Sequence, residues 1–135
     1  MVGLNPNTNR RKGVAHEGVF LGWMRERGHV SLHMAPNQPG DNITWAHGRC
    51  YIFEVKRKKL TNKKGGRSYR FSTNPQQHEA LQKLATDLAK DGVVVLYAIS
   101  FLHKDHTWTT RFVSPFYLGK TVSPDDGLTW EQMGL

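Results

Sequence analysis

Val93 to Phe101 is a nearly continuous apolar and β-branched run, the pattern of a central strand buried on both faces rather than of a half-exposed one. Such a strand needs a covering layer on each side, and the rest of the chain offers the pieces. A helix is expected from Val14 to Arg27, stopped by Gly28. His29 to Met34 alternates as a strand, with Val30, Leu32 and Met34 on one side and His29, Ser31 and His33 on the other. The Pro- and Gly-rich stretch 35–40 reads as an irregular loop. A hairpin follows, with strands Asn42 to Ala46 and Arg49 to Lys56 around a His47-Gly48 turn. Asn74 caps a second helix that has Pro75 at its first position and runs to about Asp91, with Gly92 as its stop. Trp108 to Val113 pairs back onto the 93–101 strand, and a short helix lies near Trp130. This order predicts an α/β fold, a mixed central β-sheet flanked by helices.

At 135 residues the chain is long enough for one core and short for two. Residues 1–12 carry asparagines followed by Arg10, Arg11 and Lys12, with nothing to bury, and read as a flexible basic arm. Residues 13–135 then form a single domain. No stretch approaches the roughly 20 apolar residues of a membrane span, and no signal-peptide apolar region opens the chain, so the expectation is a cytoplasmic protein with no membrane partner. Cys50 is the one cysteine, which excludes an internal disulfide and any cysteine-rich metal site.

Nineteen Lys and Arg against eleven Asp and Glu give a formal charge of +8, which favours a polyanionic partner, nucleic acid first. Residues 57–70 concentrate that charge, with Arg57, Lys58, Lys59, Lys63, Lys64, Arg67 and Arg70, a Gly65-Gly66 pair and no acid. The segment reads as a flexible basic loop.

Acids stand out against this background. Side chains alternate along a strand, so Glu54 and Lys56 share a face while Val55 points to the other. Asp41 enters the neighbouring strand of the same hairpin. Hard divalent cations such as Mg²⁺ take oxygen ligands, keep several waters and need only one or two protein carboxylates plus a substrate phosphate. Asp41 and Glu54 supply those, with the Val55 carbonyl as a third. Lys56 either positions or deprotonates the attacking water, or offsets charge growing on a phosphodiester.

Glu17 falls on the stripe Val14, Phe20, Leu21, Met24 of the first helix, and two readings are open. It meets a cation or a metal, because a carboxylate facing a core is otherwise costly, or the helix is rotated a little and Glu17 lies in water. Gln77 heads the stripe Leu81, Leu84, Leu88 of the second helix and either points inward or sits half in solvent. His29 and His33 lack a cysteine partner, which argues against structural zinc. His33 either touches a phosphate or is a solvated strand histidine.

Arg11-Lys12-Gly13 with Glu17, then Gly40-Asp41, then Ile52-Phe53-Glu54-Val55-Lys56, resembles the archaeal-type Holliday junction resolvases of the PD-(D/E)XK (restriction-endonuclease-like) nuclease superfamily. The likeness continues through Trp108 to Val113, Val113-Ser114-Pro115, and Ser123-Pro124 with Gly127. It implies the PD-(D/E)XK nuclease fold and a homodimer that binds four-way junction DNA and nicks two opposing strands with Mg²⁺, for which Mn²⁺ substitutes. By that likeness Glu17, Asp41 and Glu54 are metal-site carboxylates and Lys56 is the catalytic lysine. Arg10, Arg11, Lys12 and the cations of 57–70 would track phosphates. Two positions depart from the family pattern. Gly18 stands where an arginine often follows the helix glutamate, and His33 stands where an arginine is common. Other readings of the same residues are a nuclease for flaps, forks or a recognition sequence, and a basic DNA-binding protein without catalysis.

Overall fold

The computed structural model describes the backbone of residues 6–135 and the side chains from Lys12 onward. Helix α1 spans Pro6–Glu26, and strands β1 (Val30–His33), β2 (Asn42–Ala46) and β3 (Arg49–Lys59) follow. Strand β4 (Tyr69–Arg70) and a 3₁₀ turn (Phe71–Thr73) lead into α2 (Pro75–Ala89). Strands β5 (Val94–Leu102), β6 (Trp108–Val113) and β7 (Thr121–Val122) and the short α3 (Trp130–Met133) complete the chain. Five strands form one mixed sheet in the order β1-β2-β3-β5-β6, and β4 pairs with β7 in a small second sheet. Only the β3–β5 pair of the large sheet is parallel. A parallel pair needs a crossover, and α2 provides it.

Period-2 alternation sorts the sheet into two cores. Tyr51, Phe53, Val55, Ala98 and Phe112 pack with Phe20 and Met24 of α1 on one face. Ile52, Val95, Tyr97, Ile99, Phe101 and Val113 pack with Leu81 of α2 on the other. Strand β5 is thus covered on both sides, as its unbroken apolar run requires. The cap of α2 also forms as expected, since the Asn74 side chain accepts from the Gln77 backbone N–H at 3.2 Å.

Several expectations need correction. Helix α1 begins at Pro6, not Val14, so residues 6–12, read as an arm, are helical in backbone. Arg10 and Arg11 lie outside the described side chains. Val14 is 58 % exposed, while Phe20, Leu21 and Met24 are buried as expected and His16 joins them, with Trp23 beside it. Strand β3 does not stop at Lys56. It continues through Arg57, Lys58 and Lys59, because β5 keeps pairing with it to Leu102. The loop after it is therefore shorter than the basic run, and it is tied by Thr61 N–H to the Gly66 carbonyl at 2.8 Å and Gly66 N–H to the Lys63 carbonyl at 2.8 Å.

Strand β1 turns its polar side inward. Ser31 is buried under α1 with Asn42 and Thr44. The Ser31 and Thr44 hydroxyls lie 2.9 Å apart, Asn42 Nδ2 donates to Ser31 Oγ at 2.9 Å, and Thr44 Oγ1 donates to Asn42 Oδ1 at 2.6 Å. Each polar group finds a partner within the trio, which is what permits their burial. The opposite face at this end of the sheet lies beyond the reach of α2, leaving Val30, Leu32 and Trp45 exposed. No described helix is long and apolar enough to cross a membrane.

Candidate active site

The site assembles where α1, the turn after β1, β3 and the first turn of α2 meet. Gly40 and Asp41 come first, because they are held to β3 by backbone bonds. Asp41 N–H donates to the Phe53 carbonyl at 2.8 Å, and Val55 N–H donates to Asp41 Oδ2 at 2.8 Å. The carboxylate is thereby fixed beside the strand, one residue from Glu54. The Gly40 N–H donates to Glu54 Oε2 at 3.1 Å.

Glu54 is only 1 % exposed. Its other oxygen faces Lys56 Nζ at 3.4 Å, as expected for two residues on one face of a strand. Lys56 Nζ also donates to Gln77 Oε1, so Gln77 does turn inward from the head of α2. Gln77 stays half-buried while its side chain meets Lys56. Glu17 is half-buried and lines both clefts beside Asp41, so α1 delivers it to the acids.

Crowding of the carboxylates has an electrostatic consequence. Burial, then the Asp41 carboxyl and the charge of Glu54, push the Glu17 pKa up to about 7. Burial and the Asp41 charge likewise push Glu54 up to about 7, against the opposing pull of Lys56. Tyr69 stands nearby and is pushed up to about 12 by burial and by Glu54. Acids that hold protons near neutrality because they are buried and face one another are the setting a divalent cation relieves. The donor chemistry, carboxylate oxygens with no thiol or imidazole among them, suits Mg²⁺ or Mn²⁺. The oxygens are not drawn around one point, however. Among the described residues no group of three or more His, Cys, Asp or Glu side chains is gathered as a ready ion-binding cluster; Asp41 is committed to Val55 N–H, and Glu54 to Gly40 and Lys56.

Two clefts open onto these acids and share Val14, Glu17, Asp41 and Gln77. One has basic walls, with Lys12, Lys56 and Arg57 beside Glu54 and Val55. The other lies between the 34–40 turn and α2 and contains His33 but no lysine or arginine. Lys58 and Lys59 continue along β3, while Lys63, Lys64, Arg67 and Arg70 stand exposed outside both clefts.

His16 is a site neighbour that sequence reasoning missed. It is 3 % exposed and stacks on Trp108 at 4.9 Å between ring centroids, with Trp23 edge-on at 5.5 Å. Burial and the nearby Arg57 charge hold its pKa down at about 4. Arg57 itself lies 5.8 Å from the Trp108 ring. His16 therefore packs as a neutral ring against Trp108 of β6, the indole that Arg57 approaches. The signal is present in the sequence: His16, Phe20 and Met24 repeat at i, i+4, i+8, and Phe20 and Met24 also belong to the stripe that includes Glu17.

No family model matches the chain, and no curated protein matches it. Among solved structures it is similar to Hjc, a Holliday junction resolvase from the archaeal hyperthermophile Archaeoglobus fulgidus, with a TM-score of 0.53 and 15 % identity. The match covers 83 % of this chain and 84 % of that one. The two share a fold, a five-stranded mixed sheet between helices here.

Proposed function

We propose that the chain is a metal-dependent endodeoxyribonuclease that resolves four-way DNA junctions by paired nicks, working as a homodimer. The observation that carries the reading is the placement of Glu54 and Lys56 on one face of β3, with Asp41 bound to the Val55 N–H between them and a basic cleft alongside. Acids at the mouth of a basic cleft oppose binding of a polyanion unless a cation neutralises them. Glu17, Asp41 and Glu54 would hold that cation, with the Val55 carbonyl as a further donor. A bound Mg²⁺ supplies charge compensation at the phosphodiester and makes water easier to deprotonate.

The protein's own groups do the rest. Lys12 and Arg57 hold flanking phosphates. Lys56 already donates to Glu54 and Gln77, so its ammonium is set to donate to a phosphate oxygen and offset its growing charge, rather than to accept a proton. A water oxygen then bonds to phosphorus as the P–O bond to the leaving strand breaks, the water giving up a proton to solvent and the leaving oxygen taking one from solvent. The exposed apolar group Val30, Leu32 and Trp45 supports a second copy as partner, since such patches on one sheet face are commonly covered in assemblies.

The test is nick mapping on every strand of four-way junctions, forks, flaps and linear duplex, with and without Mg²⁺, beside Asp41→Asn and Glu54→Gln. Paired symmetrical nicks in the junction, lost in both variants while junction binding persists, are expected. Variants that cut at the wild-type rate overturn the site. Equal cutting of linear duplex overturns the junction.

A further inference from the structure

The second cleft has no part in the chemistry above, and its walls differ in kind from those of the first. It holds about 650 Å³, within the roughly 300–1,000 Å³ range of sites for small ligands. Met34, Pro36 and Pro39 form one wall and Ala80 of α2 the facing one, while Asn37 and Gln38 add amide groups at the rim. The turn carrying them is built rather than loose. Met34 N–H donates to the Asp41 carbonyl at 3.0 Å and Gln38 N–H to the Ala35 carbonyl at 3.3 Å, and Asn37 takes a left-handed φ of 74°.

A phosphate meets no lysine or arginine in this cleft and would lie against Glu17 and Asp41. A nucleobase brings no charge, has two apolar faces for the proline, methionine and alanine walls, and has donors and acceptors on its edge for the amides. Because the acids sit at the boundary of the two clefts, a phosphodiester placed on them sends one flank along Lys12 and Arg57 and the other into the cleft without lysine or arginine. A base stacked inside a duplex cannot enter. We infer that this cleft is a binding subsite for one unstacked nucleobase next to the scissile phosphate, so that the protein selects DNA in which that base is already freed from the stack. Unstacking costs least at a branch point, a mismatch or a single strand. The inference rests on the nuclease reading and adds to it a physical source of structure selectivity.

The test uses the intact protein in EDTA and 2-aminopurine placed in turn at each nucleotide around the branch of a four-way junction. One position is expected to brighten several-fold on binding. Ala80→Trp and Gln38→Trp, which fill the cleft from opposite walls, should both abolish the brightening and weaken binding of the intact junction several-fold. An abasic nucleotide at that position should erase the difference between wild type and either variant. Binding with no position brightened, or brightening unchanged in both filled variants, overturns the subsite while leaving the nuclease reading standing. A protein that binds none of these DNAs overturns the nuclease reading and the subsite with it.

Discussion

Gly40 donates its backbone N–H to Oε2 of Glu54, 14 residues further along the chain, and it does so from a φ of +89°. A Cβ on Gly40 would stand 2.6 Å from Ile52 Cγ2 and 3.1 Å from Met34 Sδ. Both the backbone angle and the space therefore demand glycine.

Gly40→Ala should destabilise the fold by about 2–4 kcal/mol, adding left-handed strain to overpacking. It should also disturb Glu54 by moving the N–H that fixes it. Thermal melts followed by circular dichroism measure the first effect, and a wild-type melting temperature would refute it. Gly28, whose φ is +86° with open space around it, should tolerate alanine at the cost of the backbone strain alone.

Stability should fall with rising pH when metal is absent. Glu17 and Glu54 are raised in the folded state to about 7 from an ordinary value of 4.5. Between those values the folded chain binds more protons than the unfolded one, so each carboxyl becomes a net liability as pH climbs through about 7. A divalent cation substitutes for the lost protons. Melting temperature in EDTA should therefore drop between about pH 5 and pH 8, and Mg²⁺ or Mn²⁺ should raise it most at the alkaline end. Glu17→Gln with Glu54→Gln should flatten both trends. A metal response of equal size at both ends of the pH range would count against the shared site.

Gln77 is the second partner of Lys56 Nζ beside Glu54. Replacing it by leucine keeps the helix and much of the volume but removes the acceptor. Cleavage should slow by roughly 10- to 100-fold, as is typical when a group that orients a site residue is lost, with DNA affinity little changed. Single-turnover rates and gel-shift titrations separate the two quantities. An unaltered single-turnover rate would show that Lys56 keeps its place unaided.

The basic residues should divide by position. Arg57 and Lys12 line the cleft that holds the acids, so removing either should lower the slope of log affinity against log salt by about 1. Lys63, Lys64 and Arg67 lie on the turn beyond β3, outside that cleft. Replacing all of them should weaken binding and flatten the salt slope further if that turn follows the duplex arms. A slope unchanged by the triple substitution removes the turn from the DNA face.

The parts of the fold that were legible are those governed by one dominant periodicity. Trp108 to Val113 was read to the residue, and Asn74-Pro75 marked the start of α2 because cap and proline act within one turn. Glu54 and Lys56 could be placed together because strand pleating allows nothing else. Where two signals competed, the weaker one was misread. Arg57, Lys58 and Lys59 look like loop by charge, yet pairing with β5 carries them on as strand. The sequence assigns Ser31 to the polar side of its strand without saying which side is covered, and Asn42 and Thr44 complete its hydrogen bonds in the core. The β4–β7 pairing involves two residues on each side, too few for any pattern to form. The bond of Gly40 to Glu54 was invisible because it depends on a backbone angle and on strand register at once.

The parallel pairing of β3 with β5 also sets an order of events during synthesis. Tyr51 pairs with Val94 and Lys59 with Leu102, so β3 waits for more than forty further residues to be made before it gains its second neighbour. Contacts of this span close slowly. Until then Glu54 and Lys56 lie on a hairpin lacking the α2 turn that holds the lysine. A nascent chain thus carries the charges of this cluster before its geometry, which arrives only with the completed sheet.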